Sequence, residues 1–390
     1  MQDSQAYRTR YDAVIVGARC AGASTAMLLA RAGAKVLLVD RQDYGTDTVS
    51  THALMRGGVL QLERWGLLSR LMAAGTPPVR QTTFHYGKEA IRVDIKPDHG
   101  LGFLCAPRRT VLDRVLVDAA RHAGAEVRHG VSLAELQFGL DGRVTGVTLK
   151  HPGGDLVAVG SDVVIGADGR QSLVARLVGA RPYVEGTGSS GYVYGYFADM
   201  ADDGYHWYFE KQAAAGAIPT NDNRHCVFVG VPRERFAGTF RRNLEGGFMR
   251  MAAANSPDLR DEIAKARPVG RLRGFAGGAG YLRQSHGPGW ALVGDAGYFK
   301  DPLTAHGITD ALRDAERLSW AVLDGRARAF ARYQDERDAL SRPLLDVTDA
   351  IASFHWDLDE IQDHHVRLSD AMKAEANHIA RSSPPDALAA

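Results

Sequence analysis

The stretch DAVIVGARCAGASTAMLLARAGAKVLLVDR, from Asp12 to Arg41, constrains this chain more than any other. The apolar run AVIVG ends in Gly17, an alanine-rich segment with Met27, Leu28 and Leu29 follows, Gly33 closes it, and KVLLVD begins a second apolar run. The pattern reads strand, turn, helix with a glycine C-cap, strand, which is the βαβ unit of a parallel α/β sheet. Gly17 and Gly22 match two positions of G-x-G-x-x-G, and the middle position is Arg19. Gly17 permits the tight turn, and Gly22 lets the helix lie close to the sheet. The backbone N–H groups of Arg19, Cys20, Ala21 and Gly22 open the helix, where partial positive charge favours a pyrophosphate. Arg19 is expected to point its chain outward, and its charge suits phosphate. Asp40 closes the second strand 18 residues past Gly22, where an acid bonds ribose hydroxyls.

The other 360 residues leave room for more than this unit in a chain of 390. Forty-seven basic residues against forty-six acidic ones give a net charge of +1, without a basic arm. That balance argues against nucleic acid as a main partner. Cys20, Cys105 and Cys226 are odd in number and far apart, so neither a disulfide framework nor a zinc site is expected. The N-terminal MQDSQAYRTR has no apolar core, and no apolar run is long enough to span a bilayer. The expectation is a cytoplasmic protein; oligomeric state stays open.

Residues 51–71 have a helical pattern, and residues 82–96 alternate like paired strands. A meander with turns at Asp141-Gly142 and Gly153-Gly154 follows an amphipathic helix. Beyond it, GYVYGYFADM, GYHWYFE and HCVFVGVP read as longer alternating strands. The fold expected is α/β: a discontinuous Rossmann-type domain (1–80, 100–175 and 280–325), an antiparallel-sheet substrate domain (81–99 and 176–279), and a C-terminal helical segment (326–390). GFAGGAG is glycine-rich but no helix pattern follows it, so it reads as a loop and not as a second nucleotide fingerprint.

Two later segments complete a set. SDVVIGADGRQSLVAR carries Asp168-Gly169 and Ser172 after a strand, and ALVGDAGYFKDPLTAHGITDAL carries Gly294-Asp295 at a strand end, then Pro302 and a helix from His306-Gly307. With the opening fingerprint, they resemble the three signature motifs of the FAD-dependent group A monooxygenases, the para-hydroxybenzoate hydroxylase-like family, in order across most of the first 320 residues. The resemblance implies FAD as cofactor. It implies Asp295 at the ribityl or pyrophosphate part, and the amides of Gly307 and Ile308 at the flavin N1–C2=O edge. It also implies Arg109 near the flavin chain, Asp40 and Arg41 at the adenosine ribose, and Val131 touching adenine through its backbone. A helix N-terminus at that flavin edge suits the negative charge of a reduced flavin. In one departure Ala175 precedes Arg176, in a motif that in the family serves both FAD and NAD(P)H. NAD(P)H would then visit transiently, or a separate flavin reductase would supply reduced flavin.

The family chemistry is a flavin C4a-hydroperoxide delivering one oxygen atom to an apolar or aromatic small molecule. Tyr205, Trp207 and Phe209 alternate on one strand face and are candidates for a substrate wall, with core packing as the alternative. That strand is similar to the Y-x-W-x-F-P strand of geranylgeranyl reductases, with Glu210 in place of proline, so a C=C reductase is the second expectation. A flavin-dependent halogenase is disfavoured because its W-x-W-x-I-P pattern is broken, and a non-catalytic ligand carrier has little to support it. His52 and His306 are the candidate acid–base residues.

Overall fold

The computed structural model describes residues 9–383. Five parallel strands form its centre, in the order Trp290–Leu292, Leu156–Gly166, Arg10–Val16, Val36–Asp40, Glu126–His129. The βαβ unit closes around helix Cys20–Arg31, with Ala13 opposite Val36 and Val16 opposite Val39. Leu156–Gly166 joins the parallel and antiparallel parts of one eight-stranded sheet. Its first half pairs antiparallel with Val144–Lys150, and its second half pairs parallel with Arg10–Val16. The meander expected there is thus an extension of the central sheet.

The two faces of this sheet are covered differently. Ala13, Ile15, Val36 and Leu38 pack under helices Cys20–Arg31, Arg109–His122 and Gly307–Asp324. Val14, Val16, Leu37 and Val39 pack under the meander. Alanines and glycines along the first helix let it approach Gly307–Asp324 closely, and this brings two helix N-termini to one side of the sheet.

A second sheet of seven strands runs Arg267–Phe275, Ser190–Ala198, Arg224–Pro232, Ala213–Thr220, Tyr205–Glu210, Gln81–Tyr86, Glu89–Asp94. All neighbours are antiparallel except Tyr205–Glu210 with Gln81–Tyr86. Its central strands are buried on both faces. Three helices, Arg233–Phe240, Leu244–Asn255 and Pro257–Lys265, cover one side, and these fall where the sequence pattern showed only strands. The other side packs on helices Ala327–Ala352 and Leu358–Arg381. The last helix starts with a capping box between Asp357 and Glu360. No described helix is long and apolar enough to cross a membrane.

Candidate functional site

A cavity of about 790 Å³ runs from the turn after the first strand to the start of helix Gly307–Asp324. At its first end Gly17 has φ +106°, and a Cβ there would lie 2.3 Å from the carbonyl oxygen of Ala167. A Cβ on Gly22 would lie 1.8 Å from the Gly17 carbonyl oxygen. Only glycine fits either position. Arg19 is the N-cap residue in extended conformation, and its side chain does not cap the helix. Its guanidinium reaches Asp113 Oδ2 (2.8 Å), the Thr46 carbonyl (2.5 Å) and Thr46 Oγ1 (3.0 Å). A side chain is tolerated at position 19 because it is drawn off to these partners.

Asp113 was not singled out from the sequence. It also accepts from Arg109 Nε at 3.0 Å and Cys20 Sγ at 3.2 Å, so one buried carboxylate ties both arginines to the helix N-terminus. Its spacing four residues past Arg109 on a helix was the available signal. Burial pushes the Cys20 thiol well up, so it is a neutral packing group and not a nucleophile. Asp40 accepts from the amides of Ala18 and Gln42, both at 2.7 Å, and keeps lone pairs on the cavity wall. Arg41 lines the same wall. Val131 also lines it, but its N–H is bonded to the Asp40 carbonyl, which leaves its carbonyl for a ligand. Asp168 lines the cavity and caps the short helix Leu173–Leu177 with Ser172.

At the second end Gly294 has φ +60° and sits against Ala21. Asp295 is half-buried on the cavity wall, and desolvation raises its carboxyl above the usual range while Arg109, Lys300 and Arg170 oppose the rise. Asp301 caps the turn at Pro302, Ala305 takes a left-handed backbone (φ 51°), and helix Gly307–Asp324 begins. Gly307 and Ile308 line the cavity, with open space where a Cβ of Gly307 would be. Its first-turn amides have no side-chain cap, so this is a second partially positive terminus turned to the cavity.

His306 does not line the cavity; it lies behind it. Its Nε2 is 2.5 Å from Glu375 Oε2, and Glu375 Oε1 accepts from Arg313 Nη1 at 2.5 Å. Arg313 also bonds Asp314 (2.7 Å), Asp310 (3.2 Å) and Ser341 (2.8 Å). Asp310 in turn pairs with Lys300, a buried lysine on the cavity wall. His306, Asp310 and Glu375 converge closely enough to share a cation, but Lys300 and Arg313 already fill that role. Nothing local in the sequence announced this network, because Glu375 comes from the last helix.

His52 lines the cavity from a left-handed backbone position (φ 67°), and the helix expected from residue 51 starts only at Arg56. Its Nε2 lies 2.5 Å from the Tyr196 hydroxyl, and the Arg108 guanidinium sits 4.1 Å over the Tyr196 ring. Its buried Nδ1 has no protein partner. Burial, then Arg109, Arg108 and Arg273, hold the imidazole well below its usual range, so it is neutral. Asp47 and Arg273 sit 3.4 Å apart on the same wall.

Tyr205, Trp207 and Phe209 do share one face, but that face belongs to a buried aromatic core with Tyr86, Phe228 and Trp356, and none lines the cavity. Trp207 Nε1 donates to Thr82 Oγ1 (3.0 Å). Tyr196, from strand Ser190–Ala198 three places away in the same sheet, is the sheet residue in contact with the cavity-lining histidine. Ring size and alternation could not say which strand would stand nearer the cavity.

A family model described as FAD binding domain matches residues 10–348. The digeranylgeranylglycerophospholipid reductase of Methanocella arvoryzae is 26% identical over 364 residues, covering 86% of this chain and 85% of that protein. The aklavinone 12-hydroxylase of Streptomyces peucetius is 28% identical over 374 residues, covering 87% and 74%. Among solved structures, a triple mutant of the flavin-dependent brominase Bmp2 superposes with a TM-score of 0.83 at 18% identity, covering 97% of each chain. That last likeness speaks to the fold alone.

Proposed function

From the premise that this chain belongs to the FAD binding domain family, we propose that it is an FAD-dependent monooxygenase acting on an apolar or aromatic small molecule. The observation that carries the cofactor assignment is the continuous cavity between two uncapped helix N-termini, the glycine turn at Gly17 and the turn at Gly307. The donors fit the group: partially positive amides at both ends, Asp40 on the wall for hydroxyls, and space a Cβ would fill.

FAD bound there supplies electron transfer and oxygen activation. The protein's part is to place charge and protons. Gly307 and Ile308 amides stabilise negative charge at their end of the cavity. Asp295 closes the floor. His52, neutral and with a free Nδ1, moves a proton to or from the substrate, and Tyr196 fixes its ring. A reduced nicotinamide is the electron donor, visiting from solvent.

The second reading is a C=C reductase, favoured by the reductase relative. The Tyr205–Phe209 strand gives it less support than its sequence promised, because these rings are packed in the core. Incubation with NADH or NADPH and a panel of aromatic and isoprenoid compounds separates the two. A monooxygenase yields product only with oxygen and carries label from ¹⁸O₂. Saturated product formed anaerobically would establish the reductase instead. Electron transfer only after a flavin reductase is added would move the donor to a partner.

A further inference from the structure

His52 carries one ring nitrogen that the rest of the protein leaves unused. The residue is fully buried and lines the cavity from a left-handed backbone (φ 67°), a conformation uncommon outside glycine. Its amide donates to Ser50 Oγ at 3.0 Å, and its Nε2 lies 2.5 Å from the Tyr196 hydroxyl. Nδ1 is buried and has no protein partner.

The charge of the ring follows from its company. Among the described residues no carboxylate bonds either ring nitrogen. Asp47 is taken up by Arg108 (3.0 Å) and Arg273 (3.4 Å), and Asp113 by Arg109 (3.0 Å) and Arg19 (2.8 Å). A buried imidazolium here would have a phenol oxygen as its one acceptor and would be opposed by Arg108, Arg109 and Arg273. The ring is therefore neutral and carries a single N–H.

Counting hydrogen bonds decides which nitrogen holds that proton. With the proton on Nε2, the ring would donate to Tyr196, and the phenol O–H would need a second acceptor. Among the described residues it has none, and Nδ1 would be an unused acceptor as well. With the phenol donating to Nε2, only the Nδ1–H is left without a partner. Each buried group left short is destabilising, so the second arrangement wins. The Arg108 guanidinium, 4.1 Å over the Tyr196 ring, draws electron density from it, which strengthens the hydroxyl as a donor and weakens it as an acceptor.

We propose that Tyr196 holds His52 in its Nδ1–H tautomer and that this N–H donates a hydrogen bond to an acceptor oxygen of the substrate, a carbonyl or an ionised phenol. The proposal rests on the reading of this cavity as the site of an FAD-dependent enzyme, and of the two directions open to His52 it selects donation. A neutral Nδ1–H polarises such an oxygen and cannot take a proton at that nitrogen. A hydrocarbon of the same shape would leave the N–H stranded, so the site discriminates against it. Tyr196 and Arg108 are positioning residues that act through His52.

Two measurements test this. In the FAD-loaded protein with ¹⁵N-labelled histidine, and with H52N supplying the assignment, nitrogen chemical shifts distinguish a protonated ring nitrogen from a bare one. Wild type should show Nδ1 protonated and Nε2 bare, and Y196F should lose that preference and populate Nε2–H. A wild-type proton on Nε2, alone or on both nitrogens, overturns the proposal, as do wild-type shifts in Y196F. The second measurement is steady-state kinetics with the aromatic and isoprenoid panel. Asparagine suits the left-handed backbone and offers an amide N–H in place of Nδ1, but it cannot accept a proton. H52N should therefore keep kcat/KM to within about tenfold of wild type, while H52L should lose about a hundredfold. A greater loss in H52N makes His52 a base and overturns the proposal; so does an H52L as active as wild type, or turnover confined to compounds without a carbonyl or phenol oxygen. A wild type that turns over nothing in the panel fails the proposed function instead, and the nitrogen shifts still decide the tautomer.

Discussion

The two ends of the cavity are built by opposite strategies. The Gly17 end is made of backbone: two glycines that no other residue can replace, a helix N-terminus, and one carboxylate that gathers stray side chains. The Gly307 end is made of side chains: a buried network of Lys300, Asp310, Arg313, His306 and Glu375 drawn from three separate segments. Steric rules govern the first and electrostatic ones the second. Mutations at the first should therefore be nearly all-or-none, and those at the second graded and sensitive to pH.

Gly22→Ala has the largest expected effect. Its methyl would collide with the Gly17 carbonyl, forcing helix and turn apart, with a loss above about 4 kcal/mol and no retained flavin. Flavin absorbance and denaturant unfolding read both, and a yellow variant of normal stability would break the contrast. Glu375→Ala removes the carboxylate shared by His306 and Arg313, and although Arg313 keeps Asp314, Asp310 and Ser341 it should cost about 3 kcal/mol, whereas Glu375→Gln should cost less. The Arg313 and His306 partners of Glu375 outweigh its burial and hold its carboxyl near 2, below the roughly 4.3 of an unfolded glutamate. Its contribution is whole above about pH 4.3 and is lost as pH falls towards 2. The acid limb of the stability curve should flatten in Glu375→Gln; an unchanged limb would remove Glu375 as its source.

Asp113→Ala tests whether the first end also depends on charge. It frees Arg19 and Arg109, but Arg19 can reach solvent, so a loss of about 2 kcal/mol is expected, together with weaker FAD binding by calorimetry. A loss as large as that of Glu375→Ala would erase the distinction between the ends. Trp207→Phe should have the smallest effect, about 1 kcal/mol from the lost bond to Thr82, with substrate KM unchanged. A large rise in KM would return this strand to the substrate wall.

The same contrast governs what could be read from the sequence. Gly17, Gly22 and Asp40 announce themselves because turn geometry is local and short. The parallel core follows from the apolar runs beside them. Lys300 and Glu375 lie 75 positions apart in the chain and meet only when the last helix docks, so neither spacing nor composition could pair them. Alternation puts Tyr205, Trp207 and Phe209 on one face, as the structure has them, yet it fixes a face and not its neighbours. Of the three helices over the second sheet, Leu244–Asn255 has its periodicity blurred by Gly246, Gly247 and a run of alanines.

The most direct test of the account is FAD binding by the full chain, followed by visible absorbance and calorimetry. The account predicts a yellow protein holding one FAD per chain, with binding abolished by Gly22→Ala. A colourless protein that does not take up added FAD would contradict it.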